Sequence, residues 1–414
     1  MTQAPVDEAA QPAPSSPAPG APRRRRTALN TALVTALALL SALVVGAVLI
    51  AIGDEKTRGA LGYFFAYPWD AFSFGWHAVS AAYVALFQGA IVDPSTLSSG
   101  DLGRILAPIS ETLLDATPLI CAGLSVGLAF RAGLFNIGGQ GQIIIAAIFA
   151  GYVGFAVHLP IVLHVVVATI AGVVGGALWG GLAGWLKART GAHEVISTIM
   201  LNYIAYFLLL YLLSVPGFQA PPYGQAISNN VYATARLPHL LGSGLRLHFG
   251  FVLALLAAAG TWWLLNRSTL GFRLRAVGAN SAAARTAGMP VESSYTVVML
   301  LSGALAGLAG ISQILGTNPA ITGDIDAGFG FDAITVALLG RANPWGIVLA
   351  GILFGGLHAG GLQMQASTGT PVDLVVVVQA MIVLFIAAPQ LVRSVFRLRP
   401  EQAVGQNLAK GWNG

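Results

Sequence analysis

Long apolar runs, each divided from the next by a short polar segment, follow one another along most of this chain. An α-helix needs roughly 20 apolar residues to cross the hydrocarbon core of a bilayer, and these runs have about that length. We therefore predict an all-α fold, a polytopic transmembrane helix bundle with about eight full spans. The predicted spans are residues 27–52, 105–130, 143–159, 161–186, 195–213, 247–265, 295–315 and 372–388.

Two further apolar segments do not fit a simple span. Residues 332–358 contain two pieces, each too short to cross comfortably, on either side of the sequence Gly-Arg-Ala-Asn-Pro at 340–344. We predict a broken-helix hairpin here, which requires protein or a watery cavity around its opened backbone. Residues 76–92 either lie along the outer interface or enter the bilayer. The total is therefore about 8–10 crossings.

Composition excludes the water-facing surface of an ordinary soluble domain. Hydrophobic residues make up 56% of the 414-residue chain and charged residues 9%, against roughly 25% charged in soluble domains. The 51 glycines suit membrane helices. Two series of regularly spaced glycines predict helix faces that a neighbouring helix can approach closely. One span contains Gly172, Gly176, Gly180 and Gly184, and another contains Gly303, Gly307 and Gly310.

The net charge of +5 comes from arginines and lysines that cluster in short loops. This distribution follows the positive-inside rule and argues against nucleic-acid binding. The segments placed in the cytoplasm are 23–26, 131, 187–194, 267–294, 341 and 393–399, and the predicted outer loops are 53–75, 214–246, 317–331 and 359–371. The chain then divides into a disordered cytoplasmic tail (1–26), a transmembrane domain (27–390) and a cytoplasmic C-terminal tail (391–414).

Catalytic, metal and nucleotide sites find no support in the sequence. Cys121 is the only cysteine, which excludes a disulfide within the chain. His77 and His358 are lone histidines without partners at metal-ligand spacing. No Gly-x-x-x-x-Gly-Lys-Ser/Thr loop and no nucleophile or zinc motif is present. We therefore expect neither an enzyme nor a bound cofactor or metal.

The polar segment 271–290 predicts a short helix with a cap at each end. Asn280 or Ser281 can accept a hydrogen bond from the free N–H groups of the first turn. Gly288 suits the left-handed position after the helix, and Pro290 blocks its continuation. Such a helix can dock in a groove of a soluble partner, or it can lie on anionic lipid headgroups through its arginines. The residues alone leave both possibilities open.

Four stretches carry a family resemblance, and they are spread over residues 130–347. They are FRAGLFNIGGQGQ (130–142), EVISTIMLNYIA (194–205), GFRLRAVGANSAAARTAGM (271–289) followed by LLSGALAGLAG (300–310), and GFGFDAITVALLGRANPWGI (328–347). Together they resemble the permease subunits of ABC importers of the ribose, branched-chain amino acid and nucleoside group, closest to the nucleoside and simple-sugar branch. Gln140 departs from this pattern, because the branch usually has an acidic residue there.

The resemblance implies a permease that moves a small polar solute, a nucleoside first and a simple sugar next, by ATP-driven alternating access. It further implies a separate ATP-binding cassette subunit, a second permease, an extracellular solute-binding lipoprotein and a prokaryotic plasma membrane whose lipid surrounds the bundle. Both termini would be cytoplasmic. The coupling segment would comprise Arg273, Arg275, Gly278, Asn280, Ala284, Arg285 and Gly288. An ion-coupled secondary transporter is the alternative.

Polar residues within apolar segments are candidates for a translocation pathway, because they are costly in a membrane. For the polar candidates a structural role is the alternative. It is solvation or pairing for the carboxylates of the second span, capping of a broken helix for Asn136, Gln140 and Asp332, and a hydrogen bond between helices for the asparagine of the fifth span. The candidates are Glu111, Asp115, Asn136, Gln140, Asn202, Phe329, Phe331 and Asp332.

Overall fold

The computed structural model describes residues 22–98, 100–242 and 244–397, and every regular element in these ranges is helical. The predicted N-terminal tail up to residue 21 and the end of the C-terminal tail from 398 onward lie outside the described residues. The all-α prediction is confirmed. The α-helices are α1 (Pro22–Gly53), α2 (Glu55–Leu61), α3 (Pro68–Ala90), α4 (Pro94–Leu97), α5 (Leu102–Arg131), α6 (Gly139–Ala156), α7 (Ile161–Thr190), α8 (Glu194–Leu212), α9 (Gly250–Arg267), α10 (Thr269–Ala279), α11 (Ser281–Thr286), α12 (Val291–Ile311), α13 (Phe329–Leu339), α14 (Pro344–Thr368), α15 (Asp373–Ala387) and α16 (Pro389–Val395).

Within the described part of the chain, 8 helices are long and apolar enough to cross a membrane. Seven of them coincide with predicted spans, and one of these, α12, continues through a π-helical turn to Thr317. The remaining one is α14, with 25 residues. The run at 372–388, predicted as the last span, forms the shorter helix α15 with 15 residues.

The hairpin predicted at 332–358 is wrong in its second half. Its first piece is the 11-residue helix α13, as short as expected. The chain then turns through Arg341 and Ala342, whose φ angles are 52° and 49°. The second piece continues as α14 to Thr368, so the outer loop predicted at 359–371 is mostly helix.

Close packing explains the glycines of α14, which had suggested a break. A Cβ atom at Gly355 would lie 2.6 Å from the carbonyl oxygen of Thr112 in α5. One at Gly360 would lie 2.3 Å from the carbonyl oxygen of Leu86 in α3. These glycines therefore let α14 approach two neighbouring backbones without interrupting the helix.

The ambiguous segment 76–92 belongs to one continuous helix, the 23-residue α3. Its small residues Ala82 and Ala85 are buried against Leu357 and Met364 of α14. The N-terminal part of α3 is different, because Trp69 and Trp76 are 77% and 72% exposed. The helix therefore packs along the bundle and presents aromatic rings where it begins.

The glycine series of α7 and α12 meet each other, which confirms the predicted close packing. A Cβ atom at Gly180 would lie 2.4 Å from the carbonyl oxygen of Met299. One at Gly303 would lie 2.1 Å from the carbonyl oxygen of Gly176. Beside this pair, α5 is the most central helix, with nearly every residue from Ala116 to Ala129 buried among α9, α12, α13 and α14.

Segments predicted on one side of the membrane contact each other in the fold. The Arg131 side chain at the end of α5 donates to the carbonyl oxygen of Ala342 at the hairpin tip, at 2.9 Å. On the opposite side, the backbone N–H of Ser228 donates to the carbonyl oxygen of Ile321, at 2.9 Å. The alternation of loops is therefore internally consistent, and its direction relative to the cell stays a prediction.

Candidate functional site

The segment 132–138 between α5 and α6 turns back into the bundle without helical structure. Its central residue, Asn136, is 1% exposed. The Asn136 amide nitrogen donates to the Ser302 hydroxyl of α12 at 2.8 Å and to the Ser125 hydroxyl of α5 at 3.1 Å. Its oxygen accepts from the backbone N–H of Gly138 at 3.0 Å. One side chain therefore ties α5 and α12 to the start of α6.

Two more amides complete this buried junction. Gln142 exchanges a reciprocal pair of hydrogen bonds with Asn136, each of 3.0 Å. Asn202 of α8 accepts from the backbone N–H of Gly141 at 2.8 Å and donates to the Ile137 carbonyl oxygen at 2.9 Å. Asn136 and Asn202 thus satisfy the backbone opened at the start of α6, as the structural alternative expected, and neither faces an open path.

Gln140 lies where the N-terminal ends of α6 and α13 meet. A Cβ atom at Gly330 would lie 2.4 Å from the backbone nitrogen of Gln140. The Asp326 carboxyl group lies beside the Gln140 side chain and is 3% exposed. An acidic residue at 140 would place a second carboxylate there. The neutral amide is therefore the side chain that this surrounding accommodates without charge repulsion.

Three of the pathway candidates converge around a histidine near the C-terminal half of α14. His358 Nδ1 lies 2.9 Å from the Asp115 carboxylate of α5. The ring of Phe329 is 6.4 Å from the imidazole ring, edge to face, and the charge of Asp332 acts on the same imidazole. This group brings α5, α13 and α14 together, and it combines hydrogen-bonding groups with an aromatic ring.

A cavity of about 480 Å³ lies against this group, between α3, α5 and α14. Asp115 and Glu111 line it, together with Arg104 and Gln363. The outermost carboxylate, Glu111, accepts from Arg246 at 3.1 Å in a partly exposed ion pair. Both carboxylates therefore face a polar opening, although Glu111 is already paired with a cation.

Phe331 does not join the cluster that Phe329 forms. Phe331 is 49% exposed, whereas Phe329 is 5% exposed. The two residues are separated by one position in α13, so they point to different faces of that helix. The two rings therefore have different surroundings, and a pathway role for Phe331 stays a prediction.

The predicted capped helix is present as α11. Asn280 accepts from the backbone N–H of Ala283 at 3.0 Å, and Gly288 has a φ of 77°, as the sequence led us to expect. Ala284 is 4% exposed and packs against Val277 and Val291. Ala284 therefore positions α11 on the protein, and its part in coupling to an ATP-binding subunit stays a prediction.

Some of the remaining coupling candidates are exposed on the surface, and others are packed against neighbouring residues. Arg275 is exposed, and Arg285 forms an exposed ion pair with Glu292. Arg273 is half-buried, and its Nε atom is buried without a hydrogen-bond partner among the described residues. A Cβ atom at Gly278 would lie 2.5 Å from the Arg131 carbonyl oxygen. Helix α10 therefore rests directly on the segment that leads into the Asn136 junction.

Residues 109–387 match the sequence model of the family described as "Branched-chain amino acid transport system / permease component". The chain belongs to this family. It is therefore a multi-pass membrane transport permease and not an enzyme. Permeases of such systems act with an ATP-binding subunit and a substrate-binding protein.

Several curated relatives of this permease are transporter subunits. It is 41% identical to the guanosine ABC transporter permease NupP of Bacillus subtilis, over 73% of this chain and 86% of the relative. It is 36% identical to the glucose ABC transporter permease TsgB13 of Haloferax volcanii, over 67% and 75%. It is 33% identical to the nucleoside ABC transporter permease NupB of Lactococcus lactis, over 67% and 79%. No solved structure matches the permease significantly.

Sequence reasoning missed two residues of the permease that the structure places at these junctions. His358, which looked like a lone histidine, pairs with Asp115 from 243 positions away. Ser302, which lies in the apolar run of α12 and was not among the candidates, accepts from Asn136 and donates to the Ser125 carbonyl oxygen at 2.7 Å. Pairings between such distant positions leave no local periodicity in a sequence. The only available signal was the cost of placing any polar side chain in an apolar run.

Proposed function

We propose that this permease is the membrane subunit of an ABC importer that moves nucleosides into the cell. The observation that carries the proposal is the 41% identity to a guanosine ABC transporter permease, which extends over 86% of that relative. The motifs at 130–142 and 328–347 lie inside the matched family region. The similarity that supports the proposal therefore includes the residues that form the Asn136 junction and α13.

The path for the solute would run along the group formed by Asp115, His358, Asp332 and Phe329. Carboxylates and an imidazole offer hydrogen bonds to ribose hydroxyls. The adjoining cavity of about 480 Å³ is within the usual size range of small-molecule sites. Asn136, Gln140 and Asn202 would instead hold the helices that frame this path.

The energy for transport would come from a separate ATP-binding cassette subunit that docks on α11. Its exposed face includes Ala282 and Ala283, and its inner face is fixed on α10 through Ala284. Helix α10 touches residues 131–133 at Gly278. Motion of α11 would therefore reach the end of α5 and the Asn136 junction through direct backbone contact, which supports alternating access driven from the cytoplasmic side.

The assembly would also include a second permease, either a homologue or another copy of this chain, and an extracellular solute-binding lipoprotein. The relatives named above come from bacteria and an archaeon, which favours a prokaryotic plasma membrane. The positive-inside pattern favours cytoplasmic termini. Purification of the tagged full chain from mild detergent should recover an ATP-binding subunit and a second permease. Repeated recovery of the chain alone after crosslinking would favour an ion-coupled secondary transporter.

A simple sugar is the second candidate substrate, because the glucose permease of Haloferax volcanii is 36% identical over 67% of the chain. Uptake by cells that express the complete transporter separates the two candidates. We expect labelled guanosine to accumulate, and unlabelled nucleosides to compete with it better than glucose does. Accumulation of glucose without accumulation of guanosine would reject the nucleoside assignment and retain the permease.

A further inference from the structure

A second cavity, of about 720 Å³, opens between the C-terminal ends of α6 and α8 and the segment that follows α8. We propose that this cavity binds the base of a nucleoside, as a site separate from the Asp115 group. The inference rests on the proposed nucleoside function and adds a location and a recognition chemistry to it.

Aromatic rings form a large part of the wall. Phe155 is packed edge to face between two others, with centroids 5.6 Å from Tyr152 and 5.3 Å from Phe218. Tyr232, which also lines the cavity, is held against His158 with centroids 4.2 Å apart. Phe155 and Phe218 are buried, whereas Tyr152 is 55% exposed. The cavity therefore offers a fixed aromatic floor and an accessible ring, and flat bases stack on such rings.

The polar groups of the lining are neutral amides. Asn229 donates to the Gly217 carbonyl oxygen at 2.9 Å, which fixes its side chain. Asn230 lines the cavity and is exposed. An amide presents both a donor and an acceptor, which matches the edge of a purine or pyrimidine. No lining side chain among the described residues is charged, so the site suits an uncharged base and offers no counter-charge to a phosphate.

The backbone that carries these amides is held on both sides. The N–H of Val231 donates to the Pro319 carbonyl oxygen at 2.7 Å, and the N–H of Tyr232 donates to the Gly154 carbonyl oxygen at 3.0 Å. Val231 is 1% exposed and inserts beside Gly154 of α6. The cavity is therefore already shaped before a ligand enters, which lowers the ordering cost of binding.

The lining also distinguishes this cavity from the one beside Asp115. That cavity carries Asp93, Glu111 and Asp115 together with Arg104, and charged groups suit hydroxyls or ions better than the face of a base. The aromatic and amide lining of the cavity at α6 and α8 is uncharged and suits the face and the edge of a base. The two cavities therefore differ in chemistry, and the one at α6 and α8 is the one that suits a base.

Guanosine binding to the full chain, purified and placed in lipid nanodiscs, tests this assignment. The variants are Tyr152→Leu, which removes the accessible ring, and Asn230→Ala, which removes the exposed amide. The matched control is Tyr211→Leu, because Tyr211 is 65% exposed on α8 and does not line the cavity. Guanine, ribose and guanosine 5′-monophosphate serve as competitors. Each variant is also tested for guanosine uptake in the complete transporter.

We expect about tenfold weaker guanosine binding in Tyr152→Leu, as for the loss of one stacking contact, and unchanged binding in Tyr211→Leu. Guanine should compete with guanosine, while ribose and the monophosphate should not. Equal guanosine binding by the parent and both cavity variants would overturn the site, and so would competition by ribose but not by guanine. Guanosine uptake by the parent would show in either case that the proposed function still holds. Failure of the parent to take up guanosine would instead reject the proposed function, and the site with it.

Discussion

Individual amide side chains stabilise the non-helical segment that joins α5 to α6. The first residues of the segment 132–138 still donate backbone hydrogen bonds to the end of α5. Asn136 and Asn202 supply the partners for the backbone groups of Ile137, Gly138 and Gly141. A buried polar group without a partner is costly, so these residues are structural in the first place. Because α10 contacts residues 131–133, motion of α10 and α11 would reach this junction through the end of α5.

Asn136→Leu removes the hub of this junction and leaves the Gln142 side chain and the Gly138 N–H without their partner, whereas Ser302 keeps its hydrogen bonds to Ser125. We expect a loss of roughly 3 kcal/mol in the free energy of unfolding, since each unsatisfied buried group costs about 1–3 kcal/mol. Unfolding of the purified chain by heat or denaturant measures it. Asn266→Leu is the matched control, because exposed Asn266 donates only to Trp262 of its own helix. Equal stability of the two variants would contradict the structural role of Asn136.

Gln140→Glu tests why this chain departs from the acidic residue usual in the related branch. Burial raises the pKa of Asp326 above its ordinary range, and the nearby Asp324 acts in the same direction. A new carboxylate at 140 would raise the pKa of Asp326 further by charge repulsion. The variant should therefore be less stable than the parent at neutral and alkaline pH. The difference should shrink as pH falls and one carboxyl group is protonated. A difference that is constant from pH 8 to pH 5 would argue against repulsion between the two groups.

The sequence predicted the types of residue at these sites better than their partners. Polar side chains in apolar runs stood out, and Asp115, Phe329 and Asp332 do lie around one point. What joins them is His358, which a sequence cannot pair with Asp115 because the contact depends on how α5 packs against α14. The exposure of Phe331 and the burial of Ala284 likewise depend on how helices pack in the folded chain.

At the scale of helices, the packing of α7 on α12 depends on backbone contact between glycines. Gly180→Ala would place a Cβ atom 2.4 Å from the Met299 carbonyl oxygen. Because a backbone atom of a packed helix cannot move aside alone, the two helices must separate, at a cost of about 1–3 kcal/mol. Thermal unfolding should show the loss. Gly260→Ala in α9 meets nothing within 4 Å, so it should leave stability unchanged or slightly raised. Similar losses in both variants would reject the contact.

The two faces of α11 should respond differently to a charge. Ala282→Glu places a carboxylate on the exposed first turn, where the helix dipole favours it, so expression and stability should be retained. If the exposed face docks on an ATP-binding subunit, uptake should fall by roughly tenfold for about 1.4 kcal/mol of lost docking energy. Ala284→Glu instead buries the charge against Val277 and Val291 and should destabilise the chain. Normal ATP-driven uptake by the Ala282→Glu variant would remove the coupling role of this face.

Most helices could be predicted from apolar length alone, and α14 shows where that reasoning fails. Glycine lowers the apolar signal and costs stability in an isolated helix, so a glycine-rich segment was interpreted as broken. In the bundle the same glycines allow close contact with α3 and α5, and the helix continues for 25 residues. Length and composition cannot distinguish a glycine that ends a helix from one that lets another helix approach.

The whole molecule is a bundle in which α5 lies at the centre and the polar groups concentrate at its two ends. Towards one end are Arg131, the Asn136 junction and α10 with α11. Towards the other are Asp115, Glu111 and the two cavities, one beside α3 and one beside α6. In the proposed mechanism, energy input acts at one end of α5 and the solute binds near the other. The family match supports a transport permease, and the direction and the energy source are what the account adds.

ATP-dependent accumulation of guanosine in sealed proteoliposomes tests that claim most directly. The vesicles would contain the chain with its co-purified subunits, with the solute-binding protein supplied outside and ATP inside, and without any sodium or proton gradient. The account predicts that guanosine accumulates with ATP, that it does not accumulate with a non-hydrolysable analogue, and that ionophores have no effect. Accumulation that requires a sodium or proton gradient and does not respond to ATP would contradict it.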